Sequence, residues 1–225
     1  MQEHQRAFVD FMLEVGVLTF GDFTTKSGRK TPFFVNTGRY RTGSHLDRLG
    51  RFYAETIVAR FGDSFDVLFG PAYKGIPLVV ATASALAREF GRDVAFCFDR
   101  KEAKDHGEGG VIVGHKLQDG DRVLIVEDVT TAGTSVRETV PKLRAAADVA
   151  LAGLVVSVDR QERGQGPRTA LAELQDEFAM PTCAIVTIDE VVGSLRGREV
   201  NGVPLLDADL LARIAAYRAA YGAER

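Results

Sequence analysis

Residues 123–135 read VLIVEDVTTAGTS, and this stretch decides the fold. Residues 123–126 are an uninterrupted apolar, β-rich run, the pattern of a strand buried on both faces. Two acids follow at once, Glu127 and Asp128, then a small-residue turn and a stretch of helical periodicity over 134–146. Neighbouring side chains on a strand point to opposite faces, so burying both acids would be costly. At the C-terminal edge of a sheet they can instead reach ligand hydroxyls or the water shell of a metal. The turn itself (Val129, Thr130, Thr131, Ala132, Gly133, Thr134 and Ser135) offers backbone N–H groups, hydroxyls and a helix N-terminus, the parts of a phosphate cradle. It lacks the Gly-Lys-Ser/Thr portion of a P-loop. A ligand with vicinal hydroxyls on one side and a phosphomonoester on the other suits it, and ribose 5-phosphate is such a ligand.

Working outward, the same alternation recurs. Short β-rich runs fall at 67–69, 94–98, 154–158 and 183–188, with helical stretches at 76–90 and 168–179. Continuous apolar strands joined by helices predict an α/β fold with a mostly parallel sheet flanked by helices. Such sheets bind ligands at the C-terminal ends of their strands. Before this core, Phe8, Phe11, Met12 and Val15 form the stripe of a helix ending at Gly16, and FGDFTTKSGRKTPFFVN (20–36) reads as a β-hairpin arm. Ser44 is the expected N-cap of the next helix, whose apolar face is Leu46, Leu49, Tyr53 and Ile57. Leu210, Leu211, Ile214 and Tyr217 mark a last helix, and residues 196–206 carry no readable signal. The expected organisation is one domain over 1–225, with residues 1–40 as a helix and β-arm hood over a core of 41–225.

Two more strand ends are unusual. FGPAYKGIP (69–77) sets glycines on either side of Ala-Tyr-Lys, so that backbone can approach an anion while Lys74 supplies charge. DRKEAKDHGEGG (99–110) gathers Arg100, Lys101, Lys104 and His106 ahead of a glycine-rich stretch. A charge run of this kind is commonly a solvated loop. Lying between two core strands, it suits a basic lid that neutralises a departing anion and excludes water.

Composition narrows the classes. The chain has 225 residues, 45% hydrophobic and 26% charged, with a formal net charge of −3 at pH 7. No basic face is implied, so no nucleic-acid partner is expected, and an anionic substrate must be held by local basic residues. No apolar run approaches the roughly 20 residues that span a bilayer, and the charged N-terminus is unlike a signal peptide. A cytoplasmic location and no membrane partner are expected. Cys97 and Cys183 lie in apolar surroundings and read as buried thiols.

The strand, acid pair and Thr/Gly-rich turn resemble the type I phosphoribosyltransferases. That resemblance implies that Glu127 and Asp128 meet the ribose hydroxyls of phosphoribosyl diphosphate (PRPP), and that residues 129–135 bind its 5′-phosphate. It also implies a diphosphate loop at 71–75, with a non-proline cis peptide between Ala72 and Tyr73. The KSGRK turn (26–30) before PFF, the RKEAKDHGEGG loop and SVDRQERG (157–164) are similar to the members of that family whose acceptor is orotate. From these the resemblance implies PRPP contacts by Lys26, Tyr73, Lys74, Arg100, Lys101, Lys104 and His106. It further implies that Lys104, His106, Lys26 and Asp128 carry catalysis, and that Phe34 and Val35, largely through backbone groups, line the orotate site with Thr131 and Arg160. Arg160 makes independent sense, because a planar guanidinium pairs side-on with a carboxylate; an ion pair with Glu162 or Asp159 is the alternative. Mg2+ is expected on PRPP, bridged at most through water to Glu127 and Asp128 and without direct protein ligands. A homodimer is implied, with the 100–110 lid acting on the partner's site. A phosphoribosyltransferase for purine bases and a PRPP-sensing regulator are the rival readings.

Overall fold

The computed structural model describes residues 1–25, 28–104 and 110–224, with the backbone alone for 101–104 and 110. Helix α1 (Glu3–Glu14) leads into an antiparallel pair, β1 (Leu18–Thr24) and β2 (Lys30–Val35), and then α2 (Gly43–Phe61). Strands and helices alternate from there: β3 (Val67–Gly70), α3 (Gly75–Phe90), β4 (Ala95–Lys104), β5 (Gly110–Gly114), β6 (Arg122–Val126), α4 (Thr134–Ala146), β7 (Ala150–Asp159), α5 (Ala170–Phe178), β8 (Thr182–Thr187) and α6 (Ile188–Leu195). A small hairpin, β9 (Glu199–Val200) and β10 (Val203–Pro204), and α7 (Ala208–Tyr221) follow.

The central sheet runs β5-β4-β3-β6-β7-β8. All its pairings are parallel except β5, which lies antiparallel on the β4 edge. Alternation along the strands sorts the core into two layers. Leu68, Leu124, Val126 and Val155 face the side that buries residues of α1, α2, α3 and α7. Val67, Phe69, Val123, Ile125, Leu154 and Val156 face the side covered by α4 and α5. Leu124 and Ile125 are fully buried, so truncating either to alanine costs about 2–5 kcal/mol. Topologically, β4, β3, β6 and β7 are consecutive neighbours, which sets four loop-bearing strand ends side by side along one rim.

The arm folds as expected, and α7 packs on it, with Tyr217 meeting Phe33 edge-on at 5.7 Å between ring centroids. Both cysteines are free, and burial pushes each thiol up to about 12. Among the described residues, no helix is long and apolar enough to cross a membrane.

Two expectations need correcting, and one unread stretch takes a shape. The N-cap of α2 is Thr42, whose hydroxyl accepts from the His45 amide at 3.2 Å, while Ser44 lies inside the helix. Gly43 can join the first turn because its N–H needs no intrahelical partner there. The run read as strand to residue 188 stops at Thr187, where a capping box with Glu190 starts α6. Residues 196–206 contain the β9–β10 hairpin, which exposes Val200 and Val203 and buries Leu206.

Candidate active site

The rim formed by β4, β3, β6 and β7 gathers most of the residues singled out above. At the end of β6, Glu127 is 6% exposed, and its carboxylate is engaged on both oxygens. Oε1 accepts from the Asp128 amide at 3.0 Å and Oε2 from the Ser135 hydroxyl at 2.6 Å. Glu127 thereby ties the strand end to the first turn of α4. Between them, Thr130 Oγ1 accepts from the Gly133 amide at 3.0 Å, and Gly133 takes φ +73°, which side chains rarely adopt. Thr131 and Thr134 are exposed at the mouth of this turn. From α4, Arg137 donates to the Ala132 carbonyl and pairs with Glu173 and Glu177, pinning the turn from behind.

Asp128 faces the other way. Its Oδ2 accepts from Thr37 Oγ1 at 2.6 Å and from Lys74 Nζ at 2.8 Å. Burial alone would raise this carboxyl, but the hydrogen bonds from Lys74 and Thr37 outweigh it and hold the group below the usual range. Its carbonyl accepts from Ser157 Oγ at 2.6 Å, and buried Tyr53 donates to the Glu127 carbonyl at 2.8 Å. The acid pair is therefore fixed in backbone as well as side chain. Beside Asp128 and Lys74 opens a cavity of about 150 Å3 whose lining includes Tyr40, Leu49, Tyr53 and Leu78.

At the end of β3, the peptide between Ala72 and Tyr73 is cis, as expected. The two glycines of this loop serve each other. A Cβ on Gly70 would stand 2.2 Å from the Gly75 carbonyl oxygen, so only glycine lets the loop close backbone against backbone. The Ala72 amide donates to buried Asp99 on β4 at 2.7 Å, and Asp99 also pairs with Lys142 of α4. Tyr73 and Lys74 project from this frame, 67% exposed and 64% exposed at the side chain. Arg100 sits next door on β4, half-buried.

At the end of β7, Arg160 is 9% exposed and pairs with Glu162, Nε at 3.0 Å and Nη2 at 2.6 Å. Its Cζ lies 4.9 Å from the centroid of the Phe33 ring on β2. The Phe33 ring thus brings the arm against the β7 rim, while the Phe34 ring stacks on Phe23 and Val35 is half-buried at the end of β2. Lys26 and His106 lie outside the described residues, as do the side chains of Lys101 and Lys104. Thr37, Phe33, Tyr217 and Asp99 escaped the sequence reading. Asp99 alone had a local signal, as the residue directly preceding Arg100.

The raised acid gives a pH prediction. Burial pushes Glu127 up to about 7, against the pull of its hydrogen bonds from Ser135 and the Asp128 amide. Between the ordinary value of 4.5 and about 7, the folded chain holds a proton that the unfolded chain has released. Stability therefore falls as pH rises through that window, by at most about 3 kcal/mol. Glu127→Gln should flatten this slope in urea melts at about pH 5 and about pH 8. A variant that keeps the full slope would assign it to other groups.

The family described as Phosphoribosyl transferase domain matches residues 38–182. The orotate phosphoribosyltransferase of Clostridium beijerinckii is 58% identical over 224 residues, covering 100% of both chains. That of Nitrosococcus oceani is 48% identical over 225 residues, covering 100% of this chain and 98% of its own. A crystal structure of orotate phosphoribosyltransferase from Francisella tularensis superposes with a TM-score of 0.84 at 36% identity, covering 96% of this chain and 100% of that one. A family match across most of the chain, relatives about half identical or more from end to end, and the same fold in a solved relative agree: the chain belongs to the orotate phosphoribosyltransferases of the phosphoribosyltransferase family.

Proposed function

We propose that the chain transfers the 5-phosphoribosyl group of PRPP to N1 of orotate, giving orotidine 5′-phosphate and diphosphate, a step of pyrimidine nucleotide synthesis. The observation that carries this reading is the placement of Arg160. A buried guanidinium stands just past the end of β7, next to the acid pair at the end of β6, where a planar acceptor bearing a carboxylate would meet the ribose.

In this reading the 5′-phosphate takes the 131–135 turn and the N-terminus of α4. Asp128 exchanges Lys74 for ribose hydroxyls, and Lys74, released, turns toward the diphosphate. The bond from ribose C1 to the diphosphate oxygen breaks with its electron pair on the leaving group, and the deprotonated N1 of orotate forms the new bond to C1. The N1 proton is readily lost, so the chain needs no strong base; it works by positioning and by charge at the leaving group. Arg100, Lys101, Lys104 and His106 supply that charge, with Lys26 reaching in from the arm.

Mg2+ fits as a substrate-borne ion. Glu127 and Asp128 offer hard oxygen donors at the rim, the ligand type that suits its water shell. Bound on the diphosphate, it supplies positive charge against the charge that builds there. Glu127 and Asp128 would orient its water shell.

The chain works as a homodimer in which the lid of residues 100–110 of one protomer serves the other's site. Mixing the Lys104→Ala and Asp128→Asn variants should then restore up to about a quarter of wild-type turnover, since half of random dimers carry one intact site. Absence of recovery after subunit exchange contradicts sharing. For the function itself, diphosphate release is followed with PRPP, Mg2+ and either orotate or a purine base. Release with orotate supports the reading, and release with the purine alone overturns it.

A further inference from the structure

Glu162 is buried, two residues beyond Arg160, in a segment clamped from several sides. Gln161 between them takes φ +51°, and its amide donates to Asp159 Oδ1 at 2.8 Å. This turn swings the side chains of Arg160 and Glu162 together. Residues on either side are tied to the C-terminal segment: the Arg163 amide donates to the Tyr221 carbonyl at 3.0 Å, and the Ala223 amide to the Gln161 carbonyl at 2.9 Å. The Glu162 backbone is thus held independently of its side chain.

That side chain concentrates its bonding on one atom. Glu162 Oε1 accepts from Arg160 Nε at 3.0 Å, Arg160 Nη2 at 2.6 Å and the Tyr217 hydroxyl at 2.9 Å. Tyr217 comes from α7 and also packs edge-on against Phe33, over whose ring the Arg160 guanidinium lies. Three elements, the end of β7, the arm strand β2 and α7, therefore converge on one guanidinium. Its Nε–Nη2 edge is used by Glu162 and its face by Phe33, so the Nη1–Nη2 edge is the one a second carboxylate can meet side-on.

A buried ion pair is a weak source of net stability, because desolvation offsets most of the attraction. Orientation is another matter. Arginine is rich in rotamers, and a guanidinium fixed before the ligand arrives need not be ordered by it. We infer that Glu162 and Tyr217 are positioning residues for acceptor recognition, holding Arg160 so that its remaining edge faces the carboxylate of the acceptor. This rests on the reading that Arg160 meets orotate. The role is specific to the acceptor half of the reaction, since both residues act on the arginine at the end of β7, one strand away from the acid pair on β6.

Steady-state kinetics on the dimeric enzyme, with each substrate varied in turn, test it. Glu162→Ala should raise the KM for orotate by roughly tenfold or more, with the KM for PRPP within about twofold of wild type. Glu162→Gln keeps an acceptor at the same place and should recover most of that loss. Tyr217→Phe, which removes a single hydroxyl, should raise the orotate KM by about threefold and leave PRPP unaffected. If Glu162→Ala fails to fold, Tyr217→Phe decides. A purely structural role would lower the melting temperature of these variants and leave both KM values, or shift both alike, and either result overturns the inference. Failure of the underlying reading looks different, because then the wild type itself would not consume orotate.

Discussion

Asp128→Asn is expected to lower kcat/KM for PRPP by about 10³-fold with little change in stability. The carboxylate is held in its charged form by Thr37 at 2.6 Å and Lys74 at 2.8 Å, and its backbone is fixed through Ser157. Its ionised state is the point of that arrangement, since hydrogen bonds to a charged acceptor contribute about 1.5–3 kcal/mol each and two ribose hydroxyls would use them. Asparagine keeps the shape but turns an amide N–H2 toward groups that themselves donate. The fold should tolerate the change, because Lys74 is 64% exposed at its side chain and can turn to solvent. An unaltered circular dichroism spectrum with collapsed turnover is the expected pair of results; a loss below tenfold would remove Asp128 from the reaction.

Arg160→Ala should fail in two separable ways. Removing one member of a buried pair leaves Glu162 charged, 7% exposed and without its guanidinium, which costs about 3–5 kcal/mol in denaturant melts. Below the melting transition, the KM for orotate should rise by about 10²-fold, the charge-assisted side-on contact having gone. Arg160→Lys should recover stability better than it recovers orotate affinity, because an ammonium replaces the charge but not the planar edge. A variant as stable as wild type with an unchanged orotate KM would contradict both parts.

The features legible in the sequence are those whose signal is contiguous. The strand, acid pair, turn and helix of 123–146 lie in one stretch, and α4 starts at Thr134 and ends at Ala146, within the limits read from periodicity. The arm was legible for the same reason, as two apolar runs about a Lys-Ser-Gly turn. What escaped depends on contacts between distant segments. Thr37 bonds to Asp128 from 91 positions away and Tyr217 to Glu162 from 55, and neither has a neighbour that marks it. Phe33 is a third such case, since its ring meets Arg160 from 127 positions away and only the fold brings the two together. The start of α6 was readable, since Thr187 and Glu190 stand at capping-box spacing. A strand continuing to Ile188 masked it.

Transfer of phosphoribose to orotate at this one rim is tested most directly by orotate absorbance. Purified chain, PRPP and Mg2+ are added to orotate, with Asp128→Asn and Arg160→Ala run alongside. Loss of orotate absorbance with equimolar diphosphate release, sharply reduced in both variants, is the predicted result. Steady absorbance with the wild type, while diphosphate is released on a purine base, would contradict it.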